Sequence, residues 1–388
     1  MAVRAERLFE DRHVDPGALS VPDGFNVEVV ATGLDNPSCI EFDEEGNIFV
    51  AEMGSPLASA YRPGRIVRIR PDGTKAPIAD GFEGSITGTA FYEGFFFVVE
   101  HGRSSRVHTV FEDGDRRVLA DGIPGGGDNP TSDIVVAHSE LIYFAQGTRS
   151  NAGIVGPDNP WLQDHPDLAD VPCGDVNLSG ANYQSQNPFA PGVMSTGAFK
   201  PYGTPSRGGE IVRGGPKCSG GVFRMDPDGG GFELFASGLR RPVGLAVHPD
   251  GRLFCTDVGI EDRGSRRVAD GREFLWQIEA GQWYGWPDYT GGDPITDRRF
   301  WPRESRQPQF LLRHHPPVSE RPVVELPPGS GMGRFDFARN TMFGTGSTAF
   351  VPLMGDPHAA DDRDAYRVVT INVTSKAIKD FISNNHPG

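Results

Sequence analysis

Apolar residues along this chain fall in short runs broken by Gly, Pro, Asp and Asn, and no stretch keeps the three-to-four spacing of an amphipathic helix. One template recurs: a Gly, a few turn residues, an apolar run, a turn, a second apolar run ending in an acidic or polar residue, and another Gly. Its copies begin at Gly33, Gly81, Gly122 and Gly238, with a degenerate fifth from Gly331 to Gly355. The clearest spans 238–259 and reads Gly-Leu-Arg-Arg-Pro-Val-Gly-Leu-Ala-Val-His-Pro-Asp-Gly-Arg-Leu-Phe-Cys-Thr-Asp-Val-Gly. Short β-branched and aromatic runs closed by turn chemistry predict a β-hairpin in each copy. Pro-Asp-Gly at 71–73, 227–229 and 249–251 supplies a fixed φ, a local side-chain cap and a residue that tolerates positive φ.

A third strand follows most hairpins, as at 65–70 and 221–225, and a fourth follows that, as at 76–79 and 232–235. Four antiparallel strands repeated radially make a β-propeller blade, whereas a β-sandwich would not reuse one hairpin template five times. Residues 25–31 predict a strand with no blade of its own, of the kind that completes the last blade and closes the ring. Residues 366–373 and 377–382 read as strands three and four of a fifth blade, after which the chain stops. The expectation is an all-β, six-bladed propeller of four-stranded antiparallel blades missing most of its last blade at the C-terminus, with a five-bladed ring as the alternative. An extension at 1–24 precedes a single propeller domain at 25–388. The blades fall near 25–80, 81–121, 122–236, 237–326 and 327–388. Gly/Pro-rich insertions at 154–217 in blade three and 282–323 in blade four are expected to cover the propeller's mouth.

Charge narrows the partners. With 37 basic against 52 acidic residues, the net charge of −15 excludes the basic face that a nucleic-acid binder needs. Gly (51) and Pro (33) are abundant in the 388 residues while aromatics stay at 10%, which suits a turn-rich β protein and not a disordered one. No apolar run approaches the roughly 20 residues of a membrane helix, and residues 1–16 lack the apolar core of an export signal. Of the four cysteines, Cys39 and Cys255 sit inside strand-like runs and read as buried thiols, and no C-x-x-C pair suggests zinc. Cys173 and Cys218 bracket the blade-three insertion; they either staple it, which would imply an oxidising compartment, or remain free.

Several motifs together resemble the glucose/sorbosone dehydrogenase family of quinoprotein propellers. They are Gly-Leu-Arg-Arg-Pro-Val-Gly-Leu-Ala at 238–246, Thr-Asp-Val-Gly at 256–259 and Trp-Tyr-Gly-Trp-Pro-Asp at 283–288. The stretch from Asp128 to Ile134, Gln-Gly-Thr-Arg-Ser-Asn-Ala-Gly at 146–153, and Cys218 followed by Gly-Gly-Val add to the likeness. It covers the chain from about residue 25 to its end and implies a six-bladed fold that binds pyrroloquinoline quinone (PQQ) and Ca²⁺ and oxidises a sugar or related alcohol or aldehyde. It also implies an electron acceptor such as a cytochrome or quinone, and a location outside the cytoplasm, for which this chain shows no signal.

By the same resemblance Arg240, Arg241, Gln146 and Arg149 would hold the cofactor, whose three carboxylates suit guanidinium forks. Arg241 stands where relatives carry Asn. The Ca²⁺ would take backbone oxygens at Gly259 and Ile260, in a corner that also holds Asp257, Glu261 and Asp262, and would polarise the quinone carbonyl that receives hydride. The solvated-arginine and turn-cap readings of these residues stand beside that one. The resemblance breaks at the general base: the family's His falls on Asn129, which cannot take a proton. Asp128, Asp133 or His101 are the substitutes within reach, and Asp356 and His358 near the mouth match no role.

Two other functions compete with the dehydrogenase. One is a metal-dependent lactonase-type hydrolase in which Glu52, Glu100 and Asp257, each ending a second strand, converge on a cation. The other is a non-catalytic sugar-binding propeller, motivated by Asn129.

Overall fold

The computed structural model describes residues 15–54, 62–303, 305–319, 321–355 and 366–384; Asp356 and His358 lie outside them. Five antiparallel sheets follow one another along the chain. Blade one is Pro37–Phe42, Ile48–Glu52, Gly64–Ile69 and Lys75–Phe82; blade two is Ser85–Tyr92, Phe95–His101, Ser104–Phe111 and Arg116–Pro124. Blade three is Thr131–Val136, Ile142–Gln146, Gly221–Met225 and Glu233–Ser237; blade four is Arg241–Val247, Leu253–Val258, Glu273–Ile278 and Val324–Leu326. Blade five is Asp336–Phe337, Thr348–Leu353, Arg367–Asn372 and Ile378–Asn384. The first strands of consecutive blades pack side by side, so they line the axis. This is the all-β propeller that the repeat predicts.

Burial on both faces explains the unbroken apolar runs. In blade two, Phe96 and Val98 pack with Phe49 and Ile66 of blade one, while the alternate residues Phe97 and Val99 pack with Ile134 and Phe144 of blade three. Period-two alternation puts neighbouring side chains on opposite faces, and here a blade waits on each side. Similar cores join blades three and four and blades four and five. The Pro-Asp-Gly turns close as read: Gly73, Gly229 and Gly251 have φ of 78°, 89° and 93°, and each N–H returns to the carbonyl three residues back at 2.8–2.9 Å.

One expectation is unconfirmed and another is corrected. Five blades are present among the described residues, and the sixth that was expected to be mostly missing is not confirmed there. The four inter-blade cores join only consecutive pairs, and Ile40 and Phe42 on blade one's first strand are 57% and 56% exposed. Residues 25–31 are not a strand, because the free edge of the last blade is taken by an earlier segment. The strand that joins the last blade is Leu19–Ser20, which adds a fifth strand by pairing Leu19 with Asn384. Phe25 still packs on that blade, its ring 5.1 Å from Phe381.

The blade-three and blade-four connections build a cap over one end of the propeller. Its core holds Ile154, Leu178 and Phe199 from one insertion, Trp286, Phe300 and Leu311 from the other, and Ile260 and Val268 from the loop between them. At its centre Arg266 and Asp288 form a wholly buried ion pair of 2.6 Å. Arg266 also donates to the carbonyls of Ala152, Pro287 and Gln309, and Asp288 accepts from the backbone of Leu311 and Leu312. One pair thus ties three loops. A Cys173–Cys218 disulfide closes the first insertion's base. Replacing Arg266 by Met strands Asp288 without its cation; we expect a loss of about 3–5 kcal/mol in denaturant unfolding, and a loss under about 1 kcal/mol would show that the cap does not depend on the pair.

Candidate functional site

The template ends each second strand at the capped end of the propeller, and there its polar residue has a local task. Glu52 accepts the N–H of Asp35 at 2.8 Å, Glu100 that of Gly84 at 2.7 Å, and Asp257 those of Arg240 at 3.2 Å and Arg241 at 2.7 Å. Each carboxylate holds the turn that feeds its blade's first strand. Glu52 is further paired with Arg65 and Lys75, and Glu100 with His108, so these acids are turn caps and do not converge on one cation. Burial, partly offset by those two N–H donors, pushes the Asp257 carboxyl up to about 7.

Several predicted residues meet here through a continuous set of bonds. Arg240 is 2% exposed and donates from Nη1 to the Gly259 carbonyl at 2.9 Å. Its own carbonyl accepts from Thr148 N, and Asn129 Nδ2 donates to Thr148 O at 3.1 Å and to Thr148 Oγ1 at 2.9 Å. Thr131 beside it donates from Oγ1 to Gln146 Oε1 at 2.5 Å and from its backbone to His101 Nδ1 at 3.2 Å. Because Nδ1 accepts that bond, the neutral ring carries its proton on Nε2. Burial holds the His101 pKa down at about 4, so at neutral pH His101 presents a donor and not a base.

An alternating chain of charge runs on from Arg240. Glu261 bridges Arg240 at 3.0 Å and Arg263 at 2.6 Å; Arg263 then reaches Asp128 at 2.5 Å and Asp158 at 2.8 Å. Burial would raise the Glu261 carboxyl, but the two guanidinium groups outweigh it and hold it at about 2. Asp128 accepts further bonds from Trp161 Nε1 at 2.8 Å and Asn159 Nδ2 at 2.9 Å. It is a buried anchor and has no free edge for a substrate proton. Sequence reasoning missed Arg263 and Asp158 and gave no role to Thr148, which lies inside the quoted 146–153 motif; for Arg263 the signal was the charge-dense loop between blade four's second and third strands.

Other predicted residues stand apart. Asp133 lies on the axis, paired with Arg334 at 3.3 Å and accepting Leu245 N at 2.9 Å. Arg149 donates to the carbonyls of Gly125 and Ala169, both at 2.8 Å. Asp262 is turned to Arg267 at 2.8 Å, away from Gly259. Ile260 buries its side chain in the cap, and its carbonyl faces Gly271, where an added Cβ would stand 1.5 Å from that oxygen. Arg241 is half-buried at the mouth, and its guanidinium makes no hydrogen bond or ion pair with the described residues.

No family model matches the chain, and no curated protein matches it. Solved structures share its fold over nearly all its length. The PQQ-bound aldose sugar dehydrogenase of Streptomyces coelicolor is 16% identical and covers 94% of this chain and 84% of its own, with a TM-score of 0.54. The holo PQQ domain of pyranose dehydrogenase from Coprinopsis cinerea is 15% identical, covering 95% and 87% at a TM-score of 0.56. The calcium structure of the Trichoderma reesei carbohydrate-active enzyme of family AA12 is 15% identical, covering 96% and 89% at 0.57. The likeness expected from the motifs is therefore present at the level of the fold.

Asp170 tests the electrostatics of this end. It is fully buried and accepts from Arg149 N at 2.6 Å, Ser150 N at 3.1 Å and the Ser150 hydroxyl. Burial, opposed by these donors, pushes its carboxyl up to about 6, against about 3.9 in the unfolded chain. Between those values the native state binds more protons, so this group makes stability fall as pH rises from about 4 to about 6. D170N removes that part of the slope in unfolding measured across the window; equal slopes in parent and variant would refute the assignment.

Proposed function

We propose that the chain is a sugar-directed oxidoreductase of the quinoprotein-propeller type, with its ligand site at the capped mouth of blades two to four. The observation that carries this reading is fold likeness to PQQ-bound sugar and pyranose dehydrogenases along 94–95% of the chain. Arg241 supports it, as a half-buried guanidinium with no hydrogen bond among the described residues, which suits an anionic group. The substrate class would be a sugar or related aldehyde, and a cytochrome or quinone would accept the electrons.

The residues fit the implied cofactors unevenly. Arg241 fits one carboxylate of PQQ, while Arg240 and Arg149 already have their guanidinium groups bound within the protein. Ca²⁺ does not fit at the expected corner. It needs several oxygens at roughly 2.3–2.6 Å, but the Gly259 carbonyl accepts Arg240, Asp262 is held by Arg267, and the Asp257 carboxyl caps two backbone N–H groups. Among the described residues no three His, Cys, Asp or Glu side chains are placed to hold a metal. No chemical step is therefore assigned through either group. This chain's own contribution is to orient a ligand: His101 offers an Nε2–H, Arg241 offers charge, and the cap excludes water.

A second reading, sugar binding without turnover, is favoured by one observation: Asn129 occupies the base position, and Asp128 and His101 are each bonded in a way that leaves no proton acceptor. One experiment separates the two. Titrate the protein with PQQ, then follow dye reduction over a panel of sugars and aldehydes with and without a calcium chelator. The proposal expects sugar-dependent reduction that the chelator leaves unchanged, and roughly tenfold to a hundredfold weaker PQQ binding in R241A. Sugar binding by calorimetry without dye reduction would replace it with the second reading.

A further inference from the structure

On the axis, one guanidinium serves two carboxylates. Arg334, at the start of blade five, donates from Nη1 to the Ser38 carbonyl and to the Cys39 sulfur of blade one, both at 2.5 Å. Its Nε pairs with Asp133 of blade three at 3.3 Å, and Asp133 accepts Leu245 N of blade four at 2.9 Å. Glu41, two residues past Cys39, accepts Thr89 Oγ1 at 3.2 Å and Phe91 N at 3.3 Å, both from blade two. All five blades therefore meet in one polar network. Its charges do not balance, because Arg334 is committed to Asp133 and to blade one and makes no hydrogen bond to Glu41. Two further groups border it: Cys255, a blade-four thiol that burial pushes well up and keeps neutral, and Asp336, exposed and paired with Arg339 at 3.0 Å.

We propose that this network is a proton-operated latch, which holds blade one against blade two while Glu41 carries a proton and loosens when that proton leaves. The charge count is the first reason. A neutral Glu41 leaves one carboxylate for one guanidinium, whereas an ionised Glu41 is a second buried anion with two long hydrogen bonds and no cation of its own. Burial, with the Asp133 charge adding to it, outweighs Phe91 N, Thr89 and Arg334 and pushes the Glu41 carboxyl up to about 7. The freedom of blade one is the second reason. None of the six residues of Pro37–Phe42 is buried, while the first six of Ser85–Tyr92 all are. Among the described residues blade one shares an apolar core with blade two alone, so its first strand can give way without undoing a second interface. A carboxyl raised in the folded state binds more protons there than in the unfolded chain. The latch therefore stabilises at low pH and is lost as pH rises through about 7. The proposal goes beyond the redox reading and needs neither quinone nor sugar.

The test uses the whole protein and two conservative variants. E41Q keeps an acceptor for Phe91 N and Thr89 but cannot lose a proton, and D133N leaves Glu41 the only carboxylate on Arg334. Infrared difference spectra of parent minus E41Q should show the carbonyl band of a protonated carboxylic acid at about pH 6 that is gone by about pH 8. In D133N that band should disappear about one pH unit lower or more. Hydrogen exchange supplies the conformational readout. Corrected for intrinsic rate, protection of residues 37–42 and 85–92 should fall about tenfold between those pH values in the parent and stay level in E41Q. No Glu41-dependent band, a band unmoved in D133N, or the same pH dependence of exchange in parent and E41Q would overturn the proposal. If E41Q does not fold, the band shift in D133N and the parent's loss of protection in 37–42 relative to 131–136 still decide the question.

Discussion

A sheet with large apolar side chains on both faces cannot stand in water; it must be covered twice. That constraint governs this molecule. In blade two Phe96, Val98, Phe97 and Val99 alternate between two neighbours and are wholly buried on both sides. Because each sheet twists, successive covered blades turn about an axis, and their first strands gather there. Every second strand must then end at one end of the axis. The polar residue that closes the template arrives at that end in each of blades one to four, as Glu52, Glu100, Gln146 and Asp257. The capped mouth is thus a consequence of how the blades bury their faces.

What happens at the mouth follows from the cost of taking charge out of water. Arg240, Glu261, Arg263, Asp128 and Asp158 come from segments far apart in sequence, and the buried Arg240 and Asp128 would not be tolerated there unpaired. Linked in alternation, each carboxylate has a guanidinium, and the remaining lone pairs of Asp128 meet Trp161 and Asn159. The Arg266–Asp288 pair does the same beneath the cap. These networks fix three loops with little regular secondary structure, which have few ladder hydrogen bonds of their own.

The propeller was legible because its signal is local and repeated: the hairpin template, the Pro-Asp-Gly turns and the third strand at Gly221–Met225 all lie within short windows. The two-residue strand Leu19–Ser20 was not, since two residues carry no periodicity and its partner lies at the other end of the chain. At the mouth, order along the chain correctly brought Arg240 and Gly259 together, because they flank one hairpin. It could not show that they bind each other. Nor could it show that Arg263 and Asp128, 135 residues apart, are joined, since no local pattern encodes a pairing that the cap alone creates. The acids ending the second strands were visible as a pattern, but a turn cap and a metal ligand have the same composition; only the direction of the N–H groups tells them apart.

The Gly259 carbonyl brings these points together. It can serve one cation well, and in this chain the cation is a side chain already tethered two residues past a turn. Two unit positive charges 4 Å apart repel by about 4 kcal/mol at the effective dielectric of a protein near its surface, and a divalent ion roughly doubles that. A metal could take this oxygen only after Arg240 swung away, and such a swing would break its bond to Glu261 and loosen the chain of charge that runs on to Asp128. The bonds that make Asp128 unavailable as a base and the bond that makes Gly259 unavailable to calcium therefore belong to one network.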